Sequence, residues 1–183
     1  MTVGPARSVR DIEAFLLRYS TEEVPLAGDV PAVLVSHGVQ CAEVLHTEFP
    51  DDPELQIAGL LHDIGLLLVP GDELGHPRHG ADYVRGLFGE RTAAIISLHV
   101  DAQRYLEATV AGYKVTPPPT AAFAEQPEPM TAQEIHRFRA HPLFGATVAL
   151  RHADDRAGDN DRRDPTLGVW RTRMDQLAAR SRS

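Results

Sequence analysis

The chain is nearly free of cysteine. Cys41 stands alone among 183 residues, which excludes an intrachain disulfide and any thiolate-rich metal cluster. Its compartment is expected to be the cytoplasm. Long apolar runs are also missing. Nothing approaches the roughly 18 consecutive apolar residues of a membrane span, and Met1 to Arg10 has no apolar core of the signal-peptide kind. Positive charge is scarce too. Lys and Arg total 18 against 26 Asp and Glu, for a formal net charge of -8. That balance argues against nucleic acid and an anionic membrane surface as partners. A small-molecule substrate remains, including a small anion held locally by a metal. No strand pattern, internal repeat or second domain is visible. What is present is a hydrophobic fraction of 43% in a length that suits one globular domain with a sizeable core. The histidine count, nine, is high for that length.

Helical periodicity runs through most of the chain. Ile12, Phe15, Leu16 and Tyr19 mark a first helix over 9–19. Pro25, Gly28 and Pro31 fall in a loop. Leu34, His37, Cys41 and Leu45 share one face of a second helix over 32–48. Asp52 caps a third helix, with Pro53 at its first position and Asp63 at its end, and Gly65 is expected to stop it. Gly89 separates helices over 77–88 and 90–99, and the second continues to 110. Thr131 and Glu134 form a capping box. A helix over 143–157 and an amphipathic one over 167–180 complete the reading. Residues 116–129 and 158–165 are expected to be irregular. The chain is therefore all-α, with a core spanning about 32–157, an N-terminal segment over 9–31 that includes the first helix, and a C-terminal helix over 167–180.

The chemistry gathers around Leu60-Leu61-His62-Asp63-Ile64-Gly65. Burying a carboxylate in an apolar segment costs several kcal/mol unless a cation or several donors meet it. A bound metal would do so. His37, His76 or His79, His99 and Asp154 are the other candidate ligands, spread over separate helices that can face one core. Each has a plainer reading alone: His37 and His99 as packing residues, Asp154 and Asp155 as a solvated face. Imidazole and carboxylate donors suit iron, manganese, nickel, cobalt or zinc, and Asp63 is the natural bridge between two metals.

The ordered set His37, His62-Asp63 and Asp154 resembles the H…HD…D signature of the HD-domain superfamily. That resemblance implies a single-domain helical bundle with the metal site in its core. His76-Pro77-Arg78-His79-Gly80-Ala81 is similar to the H-x-x-x-G-A segment of two-metal members. It implies His76 as a ligand, with His79 as the alternative or a substrate contact. Further motifs resemble the phosphonate-oxidising branch, which uses a mixed-valence Fe(II)/Fe(III) pair and O₂. Tyr19-Ser20-Thr21-Glu22 matches its Y-x-x-E, whose tyrosine and glutamate guard the open iron position. His99-Val100-Asp101-Ala102-Gln103-Arg104-Tyr105-Leu106 resembles H-V-x-A-K-R-Y-L. Gln126 to Met130 resembles Q-G-G-P-M. Leu150-Arg151-His152-Ala153-Asp154-Asp155 resembles L-R-x-x-D-D, selecting Asp154 as the ligand.

What the resemblance implies is a di-iron oxygenase with O₂ as co-substrate, Tyr19 and Glu22 as the gating pair, and His37, His62, Asp63, His76, His99 and Asp154 as ligands. Other divalent metals fit the same donors. Gln103 and Arg151 then fall at substrate-binding positions. Gln103 replaces the family lysine, Leu66 replaces a histidine, and Pro119 and Ala122 replace a serine and a threonine. Those departures weaken the expectation of a phosphonate as substrate. The rival readings are a metal-dependent phosphohydrolase and a degenerate binding or regulatory module.

Overall fold

A computed structural model describes residues 4–21, 30–114, 127–157 and 167–181. Within them the chain forms α1 (Val9–Thr21), α2 (Val30–Glu48), α3 (Pro53–Leu61), α4 (Ile64–Leu68), α5 (His76–Thr109), α6 (Ala132–Arg139), α7 (Phe144–Arg156) and α8 (Leu167–Arg180). The described residues contain no strand. None of their helices is long and apolar enough to cross a membrane.

The third helix is the axis of the fold. Seven of its nine residues, Leu55 to Leu61, are buried, because α2, α5, α7 and α8 all pack against it. Its start is fixed locally. The Asp52 carboxylate accepts from the Leu55 amide at 3.1 Å, as an N-cap should. Arg91 reaches in from α5, its nitrogens 2.7 and 2.6 Å from the two Asp52 oxygens and 3.1 Å from Glu54. At the other end Leu61 is the last helical residue, and Asp63 caps the short α4.

Gly65 does not end a helix as the sequence suggested; it lies inside α4. The reason is proximity. A Cβ there would sit 2.0 Å from the His76 carbonyl oxygen, so only glycine lets α4 touch the start of α5. Gly38 does the same for α2 and α3, where a Cβ would lie 2.4 Å from the Leu60 carbonyl oxygen. Both contacts adjoin candidate ligands.

The fifth helix is two arms joined at Gly89, whose φ of 86° and ψ of 175° break the helix. This matches the sequence expectation of two helices. A straight helix would hold His76 and His99 about 34 Å apart along its axis. Their Nε2 atoms are 3.0 Å apart, so the second arm folds back along the first. Beyond His99, Ala102, Tyr105 and Leu106 build a satellite core with Met130 and Phe138, packed against Phe144. The Tyr105 and Phe144 rings meet edge-on at 5.1 Å. This small core docks α6 and the start of α7 onto the second arm. The capping box at Thr131 and Glu134 is present as expected. Residues 115–126 and 158–166 lie outside the described set, and with them the expectations of irregular structure there.

Candidate metal centre

Four histidines arrive at one place from four directions: His37 from the middle of α2, His62 from the end of α3, His76 from the start of α5 and His99 from its second arm. Successive rings are in contact. His37 and His62 have centroids 5.3 Å apart, His62 and His99 5.2 Å, and His76 and His99 4.9 Å.

Each ring is held by its Nδ1. His62 Nδ1 lies 2.8 Å from the Gly59 carbonyl oxygen and His99 Nδ1 2.7 Å from that of Ile96. His76 Nδ1 meets the Glu73 carbonyl, and His37 Nδ1 meets the carbonyl of Ala157, the residue that caps α7. A carbonyl only accepts, so each Nδ1 carries the proton. In the neutral ring each Nε2 then holds a lone pair.

Those lone pairs converge on one another and on two carboxylates. His76 Nε2 faces His99 Nε2 at 3.0 Å, a contact that no hydrogen bond between two neutral Nδ1–H tautomers can explain. Asp63 Oδ1 lies 3.3 Å from His76 Nε2 and 3.6 Å from His99 Nε2, while its Oδ2 lies 3.4 Å from His62 Nε2. Asp154 Oδ1 is 2.7 Å from His37 Nε2 and 3.6 Å from His62 Nε2. The His62 Nε2 atom is fully buried and has no hydrogen-bond partner. Two compact donor groups result: His37, His62 and Asp63; and Asp63, His76 and His99. Asp63 belongs to both.

Charge tells the same story. Burial alone would raise the Asp63 carboxyl, but the neighbouring His62 and His76 outweigh it and hold it well below the usual range. Asp154 is lowered likewise, burial being overcome by Arg151, His62 and His37. Burial pushes His99 down to about 3, helped by charge on His76 and His62. Burial also opposes charge on His62, yet Asp63 and Asp154 raise it well above the usual imidazole range. With no metal present that places positive charge on His62, between the two ionised carboxylates, where a metal cation would serve the same purpose. The orphaned His62 Nε2 and the facing His76 and His99 nitrogens fit bound metal. The site is not sealed, since the Asp63 and His37 side chains each keep 20% of their surface.

The other predicted site residues fall around this cluster. His79 is outside it, its Nε2 2.7 Å from Asp72 Oδ2. Asp72 also accepts from the Gly75 amide at 3.1 Å, which pins the turn that delivers His76. Gln103 is buried one helical turn beyond His99, and its amide donates to Glu107 at 3.2 Å. Arg151 is buried and paired with both Asp154 and Asp155. The Tyr19 hydroxyl donates to the Leu67 carbonyl at 3.3 Å, which places it over α4. Glu22 lies outside the described residues. Sequence reading missed the carbonyls that set the tautomers. Three of them belong to the residue three positions earlier, a signal readable from spacing alone. It also missed Tyr113, whose hydroxyl donates to Asp155 at 2.7 Å.

Comparison with known proteins converges on the same family. The chain is 27% identical over 164 residues to a hydroxymethylphosphonate dioxygenase of Gimesia maris, covering 84% of this chain and 81% of that protein. It is 27% identical over 146 residues to a [1-hydroxy-2-(trimethylamino)ethyl]phosphonate dioxygenase (glycine-betaine-forming) of Leisingera caerulea, covering 74% of each. An uncharacterised protein of Acanthamoeba polyphaga mimivirus matches at 29% over 128 residues, 63% of this chain and 58% of that one. The HD domain model matches residues 34–132, a stretch that carries five of the six candidate ligands and more than half of the chain, and the protein belongs to the HD domain family.

Proposed function

We propose that this protein is an HD-domain di-iron oxygenase that oxidises a small polar, phosphonate-like substrate with O₂. The observation that carries the metal reading is the common orientation of His37, His62, His76 and His99. Each Nδ1–H is spent on a backbone carbonyl and each Nε2 points at Asp63 or Asp154. Ligating histidines are fixed in this way, the outer hydrogen bond selecting tautomer and ring plane. The choice of oxygenase over hydrolase rests on the dioxygenases to which the chain is similar.

In this reading His37, His62 and Asp154 would hold one metal and His76 and His99 the other, with Asp63 available to both. A bound iron pair would supply O₂ activation and the redox equivalents. The protein does the rest. The carbonyl bonds fix the tautomer and ring plane of each imidazole, leaving Nε2 toward the centre. The apolar walls contributed by α3 and α5 limit water around them. Tyr19, held over α4, and Glu22 are the residues that would gate access to the metals. Gln103 sets a neutral amide where the phosphonate-oxidising proteins place a cation, so this chain selects less strongly for a dianion.

The test is anaerobic reconstitution with iron, metal analysis and Mössbauer spectroscopy, followed by O₂ uptake with a panel of hydroxy- and aminoalkylphosphonates. Two irons per chain and substrate-dependent O₂ uptake are expected. Hydrolysis of phosphate monoesters without O₂ uptake would instead make it a phosphohydrolase. Failure to take up metal would make it a binding module.

A further inference from the structure

Beyond Asp154, on the side away from the histidines, lies a chain of three side chains with no part in the ligand set. Arg151 NH1 meets Asp154 Oδ2 at 2.6 Å. Its Nε lies 3.0 Å from Asp155 Oδ1, and its NH2 reaches the same oxygen. The other Asp155 oxygen accepts from the Tyr113 hydroxyl at 2.7 Å. Asp154 is thereby divided: Oδ2 belongs to the guanidinium, and Oδ1 faces His37 and His62.

Local geometry explains the arrangement. Asp154 and Asp155 follow Arg151 by three and four positions on α7, so all three share a helix face. Arg151 keeps only 7% of its surface, which commits its planar fork to the two acids. Tyr113 arrives by a turn. The second arm of α5 ends where the Val110 amide bonds the Leu106 carbonyl at 2.8 Å. Tyr113 N–H then closes on the Val110 carbonyl at 3.1 Å, with Gly112 at φ 78° between them. Only glycine takes that φ without steric cost. The turn lays the tyrosine against Asp155 on α7.

We infer that Tyr113 and Asp155 are positioning residues that lock Arg151 onto the outer oxygen of Asp154, so that Asp154 offers the metal pair a single oxygen. The inference rests on the metal reading above. Three of the five guanidinium N–H groups are spent on the two acids. Lysine cannot reproduce the lock, because a single ammonium does not span two carboxylates as a planar fork does.

The experiment uses the full chain with Co(II) as the probe. Affinity, the visible d–d spectrum and the melting point of the metal-free protein are measured for wild type, Tyr113→Phe, Asp155→Asn and Arg151→Lys. Each variant should weaken one of the two Co(II) ions by about 10–100-fold, the usual cost of losing an outer-shell partner, and change the spectrum. Tyr113→Phe removes one hydroxyl from a half-buried ring, so its metal-free melting point should stay near wild type. Arg151→Lys keeps the charge and should still resemble Asp155→Asn. Unchanged affinity and spectrum in Tyr113→Phe and Arg151→Lys would overturn the lock. A wild type that takes up no Co(II) refutes the metal reading and the lock together; two Co(II) ions bound with identical variants refute the lock alone.

Discussion

Replacing Gly65 by alanine should both destabilise the fold and empty half of the metal centre. The added Cβ would lie 2.0 Å from the His76 carbonyl oxygen, 2.7 Å from its carbonyl carbon and 2.9 Å from its Cα. All three are backbone atoms at the start of a helix, so no side-chain rotation relieves the clash. Either α4 or the first turn of α5 must move by about an ångström to restore an ordinary contact. Overpacking against yielding neighbours costs about 1–3 kcal/mol, and an unyielding backbone places this change at the upper end. Each kcal/mol is worth about 2–4 °C in a chain of this size, so the metal-free melting point should fall by about 6–12 °C. Movement of the α5 turn draws His76 from Asp63, and movement of α4 draws Asp63, its N-cap residue, from His76. In the two-metal arrangement proposed above, the metal assigned to His76 and His99 should therefore be lost first, leaving one metal per chain. Differential scanning calorimetry and metal analysis of the purified variant check both halves. A variant that melts with wild type and still holds two metals would refute the close-approach argument.

Other outcomes follow from the same geometry. Asp63→Ala should leave no tightly bound metal at all, since Asp63 serves both donor groups; elemental analysis showing one retained metal would argue against a bridge. Gln103→Lys should tighten phosphonate binding by about 1.5–3 kcal/mol, the range for hydrogen bonds to charged groups, as read by calorimetric titration; no gain would place Gln103 outside the substrate site. Phe88→Ala, at a fully buried position beside the α5 break, should cost about 3–5 kcal/mol in denaturant unfolding. Arg104, with the Thr131 cap, holds the Glu134 carboxyl down to about 2 from an ordinary 4.5. A depressed carboxyl stabilises above its unfolded value and loses that contribution as pH falls toward its folded value. The stability gap between wild type and Glu134→Gln should thus be present at neutral pH and close progressively below pH 4.5.

The helices were legible because their signals are local: caps at Asp52 and Thr131, the break at Gly89, and apolar spacing throughout. The identity of the clustered side chains was legible for a different reason. A histidine-aspartate pair inside an apolar run needs a partner, and the resemblance to the HD-domain superfamily singled out His76 and Asp154 among the candidates. What could not be read was contact between backbones. Gly65 looks like a helix stop in sequence, because nothing local reveals that the His76 carbonyl lies against it. His76 and His79 are both plausible in sequence. They separate only because the turn pinned by Asp72 leaves the His76 ring facing Asp63 and the His79 ring facing Asp72. Arg151 reads in sequence as an anion clamp or as the partner of the adjacent acids, and only the structure shows it paired with both Asp154 and Asp155.

The reversal at Gly89 has a bearing on how this chain can vary. Between His76 and His99 the path is a helical hairpin whose two ends must meet to within a hydrogen-bond length, 3.0 Å. Adding or deleting one residue in either arm rotates everything beyond it by about 100° and slides it about 1.5 Å. One of the two rings would then leave the centre altogether. Loops elsewhere can absorb such a change, but these arms cannot. The number of residues from His76 to Gly89, and from Gly89 to His99, should therefore be among the most rigidly kept intervals in the protein, more so than the identity of most side chains within them. A library of single-residue insertions, selected for metal retention, should show this span as a gap.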